Sequence, residues 1–184
     1  MDNLLVTSAI KQFNYYKAVG DKTINQLSFE ELTWQPNQDT NSVSIIVKHM
    51  VGNMLSRWTN FLTEDGEKTW RERDLEFEAS YTNKDELITA WKTGWACLFD
   101  ALSPLTNTDL DKIVYIRNEG HYVSEAIFRQ LGHYPYHIGQ MVQIGKTLKG
   151  NNWKSLSIPK GESKTYNQEK FNKPKGKRHF TDDL

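Results

Sequence analysis

The stretch Ala126–Val142 reads AIFRQLGHYPYHIGQMV. Its apolar residues recur every three or four positions, which is the spacing of one face of an α-helix. With its flanks, the stretch predicts a helix over about residues 124–149 that ends at Gly150, since glycine often follows the last residue of a helix. Pro135 lies inside this helix, and we expect a kink there because proline removes the hydrogen bond to the carbonyl of Leu131.

Three more segments carry the helical spacing of apolar residues. We expect them to form helices over about residues 2–26, 42–63 and 83–102. Ser28 and Glu31 have the spacing of a capping box, which predicts a short helical turn between the first two helices. Four long helices joined by connections of mixed length indicate an all-α four-helix bundle.

The rest of the chain consists of connections and a tail. KIVYIR, at residues 112–117, alternates and is rich in β-branched residues, so it predicts a short β segment. The charged stretch WRERDLEFEAS, residues 70–80, fits no element well. Residues 151–184 are polar and rich in lysine, and we expect an irregular extension that packs near residues 153–158 and is mobile towards its end. The expected organisation is therefore a bundle over residues 1–150 followed by this extension.

Composition argues against several classes of protein. Lys and Arg together number 23, as do Asp and Glu, and this zero net charge argues against a nucleic-acid partner. Cys97 is the only cysteine, so a disulfide scaffold is excluded, and its place between Trp95 and Phe99 indicates a small buried hydrophobe. The N-terminus lacks a signal-peptide pattern, and no apolar run reaches the roughly 20 residues of a membrane span. We expect a cytoplasmic protein without a membrane partner.

Two histidines in the opening stretch are candidate metal ligands. His133 and His137 are four residues apart, so they project from the same side of a helix and could share one divalent ion. No glutamate follows the first histidine, so the general base of HExxH proteases is missing. Gly132 and Gly139 flank the pair and would permit close approach of a neighbour. The alternative is a pair of half-exposed histidines bonded to backbone or water.

A metal site normally needs a third protein ligand. His49 is the attractive candidate because it is central in the second long helix. Periodicity does not favour it, since His49 lies off the apolar stripe of that helix, and the pattern alone leaves its role open. We expect His121 to be an ordinary loop residue and His179, in the basic tail, to be exposed to solvent.

Four segments together resemble a known superfamily. They read HMVGNMLSRWTNFLTEDGEK, RERDLEFE, AIFRQLGHYPYHIGQMV and NNWKSLSIPKGES. In this combination the chain, from its first helix through Ser163, resembles an uncharacterised bacterial branch of the DinB-like superfamily. The resemblance implies a four-helix bundle of up-down-down-up connectivity that is often dimeric, so a homodimer is expected.

The resemblance also implies a three-histidine site for a divalent metal, Zn or Ni. Its ligands fall on His49 in the second long helix and on His133 and His137 in the last. Pro135 departs from the pattern, because related sequences carry a small, helix-compatible residue there. Better-understood relatives are metal-dependent transferases and isomerases that use low-molecular-weight thiols such as bacillithiol or mycothiol, and others are described as metal-dependent hydrolases.

Three functions follow from such a site. The first is a transferase in which a metal-bound thiolate of a low-molecular-weight thiol attacks a small-molecule substrate. The second is a hydrolase that uses metal-bound hydroxide. The third is a non-enzymatic helical protein, with or without metal. Thiolate chemistry requires less of this sequence, because the motif fixes no carboxylate as a general base.

Four polar residues near the histidines are candidates for contacting an anionic or polar substrate. They are Asn53, Arg57, Arg129 and Gln140. Each also has a structural interpretation: Arg57 could pair with an acidic residue of the DGEK–RERD segment, and Gln140 could cap neighbouring backbone. Tyr134 and Tyr136 are expected to be packing residues.

Overall fold

Four long helices make up most of the chain in a computed structural model, which describes residues 3–78 and 81–182. The helices, short ones included, are α1 Leu4–Gln26, α2 Phe29–Thr33, α3 Val43–Trp58, α4 Lys84–Leu102, α5 Val123–Lys149 and α6 Ser163–Phe171. The chain is therefore mostly helical, as the sequence predicts. None of the described helices combines the length and the apolar character that crossing a membrane requires.

Local sequence explains where the helices begin. Asn3, Ser42 and Asn83 precede α1, α3 and α4, and each side chain accepts a hydrogen bond from a backbone N–H of the first turn. The predicted capping box is present before α2, where Ser28 Oγ accepts from the backbone N–H of Glu31 at 3.2 Å. The Glu31 carboxylate accepts from the backbone N–H of Ser28 at 2.7 Å in return.

Each of the four long helices packs against two of the others. α1 packs on α4 and α5, and α3 packs on the same two helices. The core between them holds large side chains with almost no exposed surface, among them Phe13, Trp91, Trp95 and Tyr134. α3 is the most enclosed element, with 13 buried residues among its 16. A helix covered on so many sides has no single apolar stripe, which is why periodicity misjudges its inner face.

α3 ends earlier than its apolar spacing predicts, at Trp58 rather than near Thr63. Asn60 has a positive φ of 49°, a left-handed conformation that stops helix propagation. The following loop returns to α3, where Ser56 Oγ donates to the carbonyl of Gly66 at 2.6 Å and the Arg57 guanidinium donates to the same oxygen. These contacts stabilise the loop that stands in place of the last predicted turn of α3.

The predicted β segment is one strand of a hairpin. β1 (Ile113–Ile116) pairs antiparallel with β2 (Glu119–Tyr122). The two residues between the strands, Arg117 and Asn118, both have positive φ, as a two-residue hairpin turn of type I′ requires. Asp65 stabilises this turn, because its carboxylate accepts from the backbone N–H groups of both residues at 2.8 Å.

The tail departs from the expectation of an irregular extension. It contains α6, and it returns to α1 beyond that helix. A ring nitrogen of His179 lies 3.0 Å from Ser8 Oγ, and Lys11 forms a 2.6 Å ion pair with Asp182. The prediction that His179 is solvent-exposed is therefore wrong, since these contacts leave it only partly exposed. The division into residues 1–150 and 151–184 stays a prediction.

Candidate metal centre

Three histidines from α3 and α5 lie close together. The ring centroid of His49 lies 5.5 Å from that of His133 and 4.9 Å from that of His137. One nitrogen from each ring belongs to a cluster in which all three atoms lie within 4.8 Å of one another. The sequence suggested the pair on α5 from its spacing. His49 on α3 was a candidate from its central position in the helix, and only the resemblance assigned it as a ligand.

The two histidines of α5 are oriented by glutamines of the same helix. Nδ1 of His133 lies 3.1 Å from Oε1 of Gln130, and Nδ1 of His137 lies 2.9 Å from Oε1 of Gln140. An amide oxygen only accepts hydrogen bonds, so each Nδ1 carries the proton and each Nε2 presents a lone pair. The two Nε2 atoms lie 3.1 Å apart. Two lone pairs at that distance repel unless a cation lies between them.

A proton is a poor candidate for that cation. Burial, together with the positive charge that His137, His49 and Arg129 would contribute, lowers the pKa of His133 to about 3. Burial also lowers the pKa of His137, although its bond to Gln140 acts in the opposite direction. At neutral pH both rings are therefore neutral and available as ligands. Three imidazole nitrogens fit a divalent metal of the Zn type, with a position left open for another ligand.

His49 is oriented by a carboxylate from outside the helices. Glu76 belongs to a short 3₁₀ helix, Asp74–Phe77, and its Oε2 lies 2.9 Å from Nδ1 of His49. Burial raises the pKa of Glu76, but hydrogen bonds from His49 and Arg71 more than offset this and lower it, so the group is ionised. Arg71 donates to the two carboxylate oxygens at 2.8 and 3.0 Å. A buried carboxylate on the outer nitrogen is the usual support of a metal-binding histidine.

Gly52 makes room for that carboxylate. It lies three residues after His49, on the same side of α3. A Cβ at this position would overlap Oε1 of Glu76. Gly52 is therefore needed in α3 because the 3₁₀ segment approaches the helix closely at this position.

A cavity of about 430 Å³ opens beside the cluster and is lined by His49 and His133. Two neutral polar residues, Asn53 and Gln130, also line it. The remaining lining residues are all arginines: Arg57, Arg71, Arg73, Arg117 and Arg129. No carboxylate belongs to the described lining. Three of the four predicted substrate contacts thus lie at this cavity, and the fourth, Gln140, instead orients His137.

Comparison with known proteins places the chain in a family. Residues 1–162 match the family described as "Protein of unknown function (DUF1572)". The chain belongs to the DUF1572 family. Comparison with the curated proteins and with the solved structures gave no significant match. The DUF1572 match includes the histidine cluster, Glu76 and all five cavity arginines, whereas α6 lies outside it.

In this DUF1572 protein, Pro135 lies inside an unbroken α5. The neighbouring Tyr134 is fully buried, and its hydroxyl donates to Asn53 Oδ1 and accepts from Trp58 Nε1, both at 3.0 Å. It is therefore a packing residue, as expected, and it also connects the core to the cavity wall. The same expectation is wrong for Tyr136, whose side chain is 63% exposed.

Two other glycines and the cysteine have no part in the cluster. A Cβ at Gly132 or Gly139 would meet nothing within 4 Å, so no other described part of the chain approaches closely there. Cys97 is half-buried, with Sγ 3.5 Å from Thr59 Oγ1. It lines a larger hollow of about 640 Å³ that contains none of the histidines. The histidine cavity is smaller, but it holds the chemically distinctive groups.

Sequence reasoning missed Glu76 and three of the arginines. Arg57 was given two interpretations, and the structural one is present, since its guanidinium pairs with Glu67 at 3.3 Å. Glu76, Arg71 and Arg73 come from the charged stretch that fitted no element.

Proposed function

We propose that this protein is a metal-dependent enzyme in which His49, His133 and His137 hold a divalent metal, Zn or Ni, through their Nε2 atoms. One observation carries the proposal. The Nε2 atoms of His133 and His137 face each other at 3.1 Å while an amide oxygen accepts at each Nδ1. This arrangement holds lone pairs together without a proton to share. The carboxylate on His49 adds the outer support that metal sites commonly have.

We also infer that the family is a branch of the DinB-like superfamily with up-down-down-up connectivity. Two features support this inference: four long helices contact one another in a closed order, and the histidines lie on α3 and α5, where the resemblance expects ligands. A cytoplasmic location and a homodimer stay predictions.

The reaction we propose is transfer to a low-molecular-weight thiol. A divalent metal with three neutral ligands supplies an electrophilic centre that stabilises the deprotonated form of a thiol or of water. The described cavity lining offers no carboxylate that could act as a general base, so the chain is better suited to a nucleophile that is already anionic. The arginines favour such an anion through their positive charge.

The test of metal binding compares metal content across variants. Untagged protein is measured by plasma mass spectrometry as wild type, His49→Ala, His133→Ala and His179→Ala. We expect near-stoichiometric Zn or Ni in the wild type and in His179→Ala, because His179 lies in the tail, bonded to Ser8. The two cluster variants should lose most of the metal. Equal metal in all four proteins would contradict the proposal.

The reaction class is tested on metal-loaded protein. Incubation with a thiol and an alkyl halide as the model electrophile should consume both in equal amounts. The sulfur–carbon bond forms, the carbon–halogen bond breaks, and the thiol proton and the halide ion are released. This turnover should be absent in His133→Ala. Thiol-independent cleavage of an ester or amide would instead establish the hydrolase, and turnover of neither would favour the non-enzymatic alternative.

A further inference from the structure

The cationic residues of the chain are distributed unevenly between the cavity and the rest of the molecule. The sequence contains 6 arginines and 17 lysines. Five of the arginines line the cavity beside the histidines, and no lysine belongs to its described lining. Only Arg178, in the tail, lies elsewhere. Guanidinium groups bind carboxylates and phosphates with two parallel hydrogen bonds, whereas an ammonium acts as a point charge. The cavity is therefore lined by the type of cationic side chain that binds oxyanions best.

Two carboxylates hold part of this cluster in place. Glu67 lies 3.3 Å from Arg57, 3.1 Å from Arg117 and 3.6 Å from Arg71. Arg71 also pairs with Glu76. Two carboxylates against three arginines leave a net positive charge in the cavity wall.

The other two arginines have no acidic partner among the described residues. Arg129 forms no ion pair there, and Arg73 contacts the ring of Phe77, with its guanidinium carbon 5.3 Å from the ring centroid. Both side chains belong to exposed residues at the cavity. Neither is needed for a salt bridge that holds the fold, so both are free to bind a ligand.

A buried donor in the cavity wall also lacks a partner. Arg57 is only 7% exposed, and its Nε–H has no hydrogen-bond partner among the described residues. Buried polar groups are nearly always hydrogen-bonded, because leaving one unpaired is costly. An unpaired guanidinium donor beside unpaired arginines indicates that something outside the chain completes the site.

Arg117 reaches the cavity from the two-residue turn of the hairpin. Its φ is 58°, an uncommon conformation for a residue with a Cβ. Asp65 maintains this conformation by accepting from its N–H. This positive φ is the one that the type I′ turn requires, so the turn and Asp65 together fix the position of Arg117 in the cavity wall.

We propose that this cavity is an oxyanion-binding site, which takes a carboxylate or phosphate group of a small-molecule substrate and holds it next to His49 and His133. The proposal deepens the proposed function, on which it rests for the reaction, by naming the substrate class. The binding itself depends on the arginines alone. It can therefore be measured on protein without metal.

The experiment is calorimetric titration of chelator-treated, full-length protein with inorganic phosphate and, separately, with succinate. Wild type should bind at least one of them with a dissociation constant of about 1 mM or lower, and the tighter probe identifies the oxyanion. Arg129→Gln and Arg73→Gln should each weaken binding about tenfold, as expected for loss of one charge-assisted hydrogen bond. Arg178→Gln is the matched control, because it removes the one arginine outside the cavity. It should bind like the wild type.

Two results would overturn the proposal: no heat of binding with either probe, or equal affinity in the wild type and Arg129→Gln. Circular dichroism confirms folding of each variant, and both positions are exposed, so folding should be unaffected. The outcome is separable from the metal test. Anion binding in a protein that never retains metal would sink only the proposed enzyme, and metal retention without anion binding would sink only this site.

Discussion

Nδ1 of His49 and Oε2 of Glu76 lie 2.9 Å apart, and both side chains are buried. The carboxylate is held in turn by Arg71, so the histidine ring has one available orientation. This contact connects α3 to the 3₁₀ segment Asp74–Phe77, which the sequence did not assign. It provides a direct way to test whether the cluster is built for metal.

Glu76→Gln should weaken metal binding by about 10–100-fold, the usual effect of removing a carboxylate that supports a metal-bound histidine. The amide keeps the size of the side chain but removes its charge. The dissociation constant for Zn is measured by competition with a chromogenic chelator. Glu72→Gln, which changes an exposed acid four residues before Glu76, is the control and should match the wild type. Unchanged affinity in Glu76→Gln would contradict the role of the Glu76 charge in supporting His49 as a ligand.

Gly52→Ala should destabilise the protein and also weaken metal binding. The added Cβ would overlap the Glu76 carboxylate, and overpacking of this kind costs about 1–3 kcal/mol. The control is Gly132→Ala on α5, where a Cβ meets nothing within 4 Å and the lost helical flexibility should stabilise by about 0.5–1 kcal/mol. Urea unfolding of both variants measures these opposite signs. A stabilised Gly52→Ala would contradict the close approach of the 3₁₀ segment.

The long helices are the part of the fold that local sequence encodes well. Their caps at Asn3, Ser42 and Asn83 and the apolar spacing of α5 are all read within a few residues. His49 is different, because α3 is enclosed by neighbouring elements and its buried residues occupy almost every position. Periodicity measures one-sided burial, so it cannot choose a face on such a helix. Only the resemblance to a family identified the residue.

The cavity wall could not be predicted for a related reason. Arg71, Arg73 and Glu76 come from a segment without periodicity, and Arg117 comes from a hairpin turn. Their meeting depends on tertiary contacts such as the hydrogen bond from the backbone N–H of Gly66 to the carbonyl of Tyr115, 2.8 Å long. Contacts between distant loops leave no short-range signal in the chain. The five cavity arginines are spread from position 57 to position 129, and only the fold brings them together.

The metal-free protein should lose stability as the solution becomes acidic. The folded-state pKa values of His133, about 3, and of His137 lie below the value of about 6.5 for an unfolded histidine. The unfolded chain therefore takes up protons first, so this contribution to the free energy of unfolding is present above about pH 6.5 and is lost as the pH falls towards 3. Urea unfolding of chelator-treated protein at several pH values measures the slope. His133→Gln should flatten it, and an identical slope in both proteins would contradict the assignment of a neutral, buried His133.

Tyr134→Phe should cost about 1–3 kcal/mol of stability, because it leaves two buried groups without their partner. The hydroxyl connects Asn53 Oδ1 and Trp58 Nε1, both at 3.0 Å, and the side chain is fully buried. Tyr136→Phe, two residues along the same helix and 63% exposed, removes the same atom and should change stability by less than about 0.5 kcal/mol. Thermal unfolding of the pair measures the difference. Since Asn53 lines the cavity, Tyr134→Phe should also weaken phosphate or succinate binding. Equal stability of Tyr134→Phe and Tyr136→Phe would show that the buried hydroxyl does not hold the cavity wall in place.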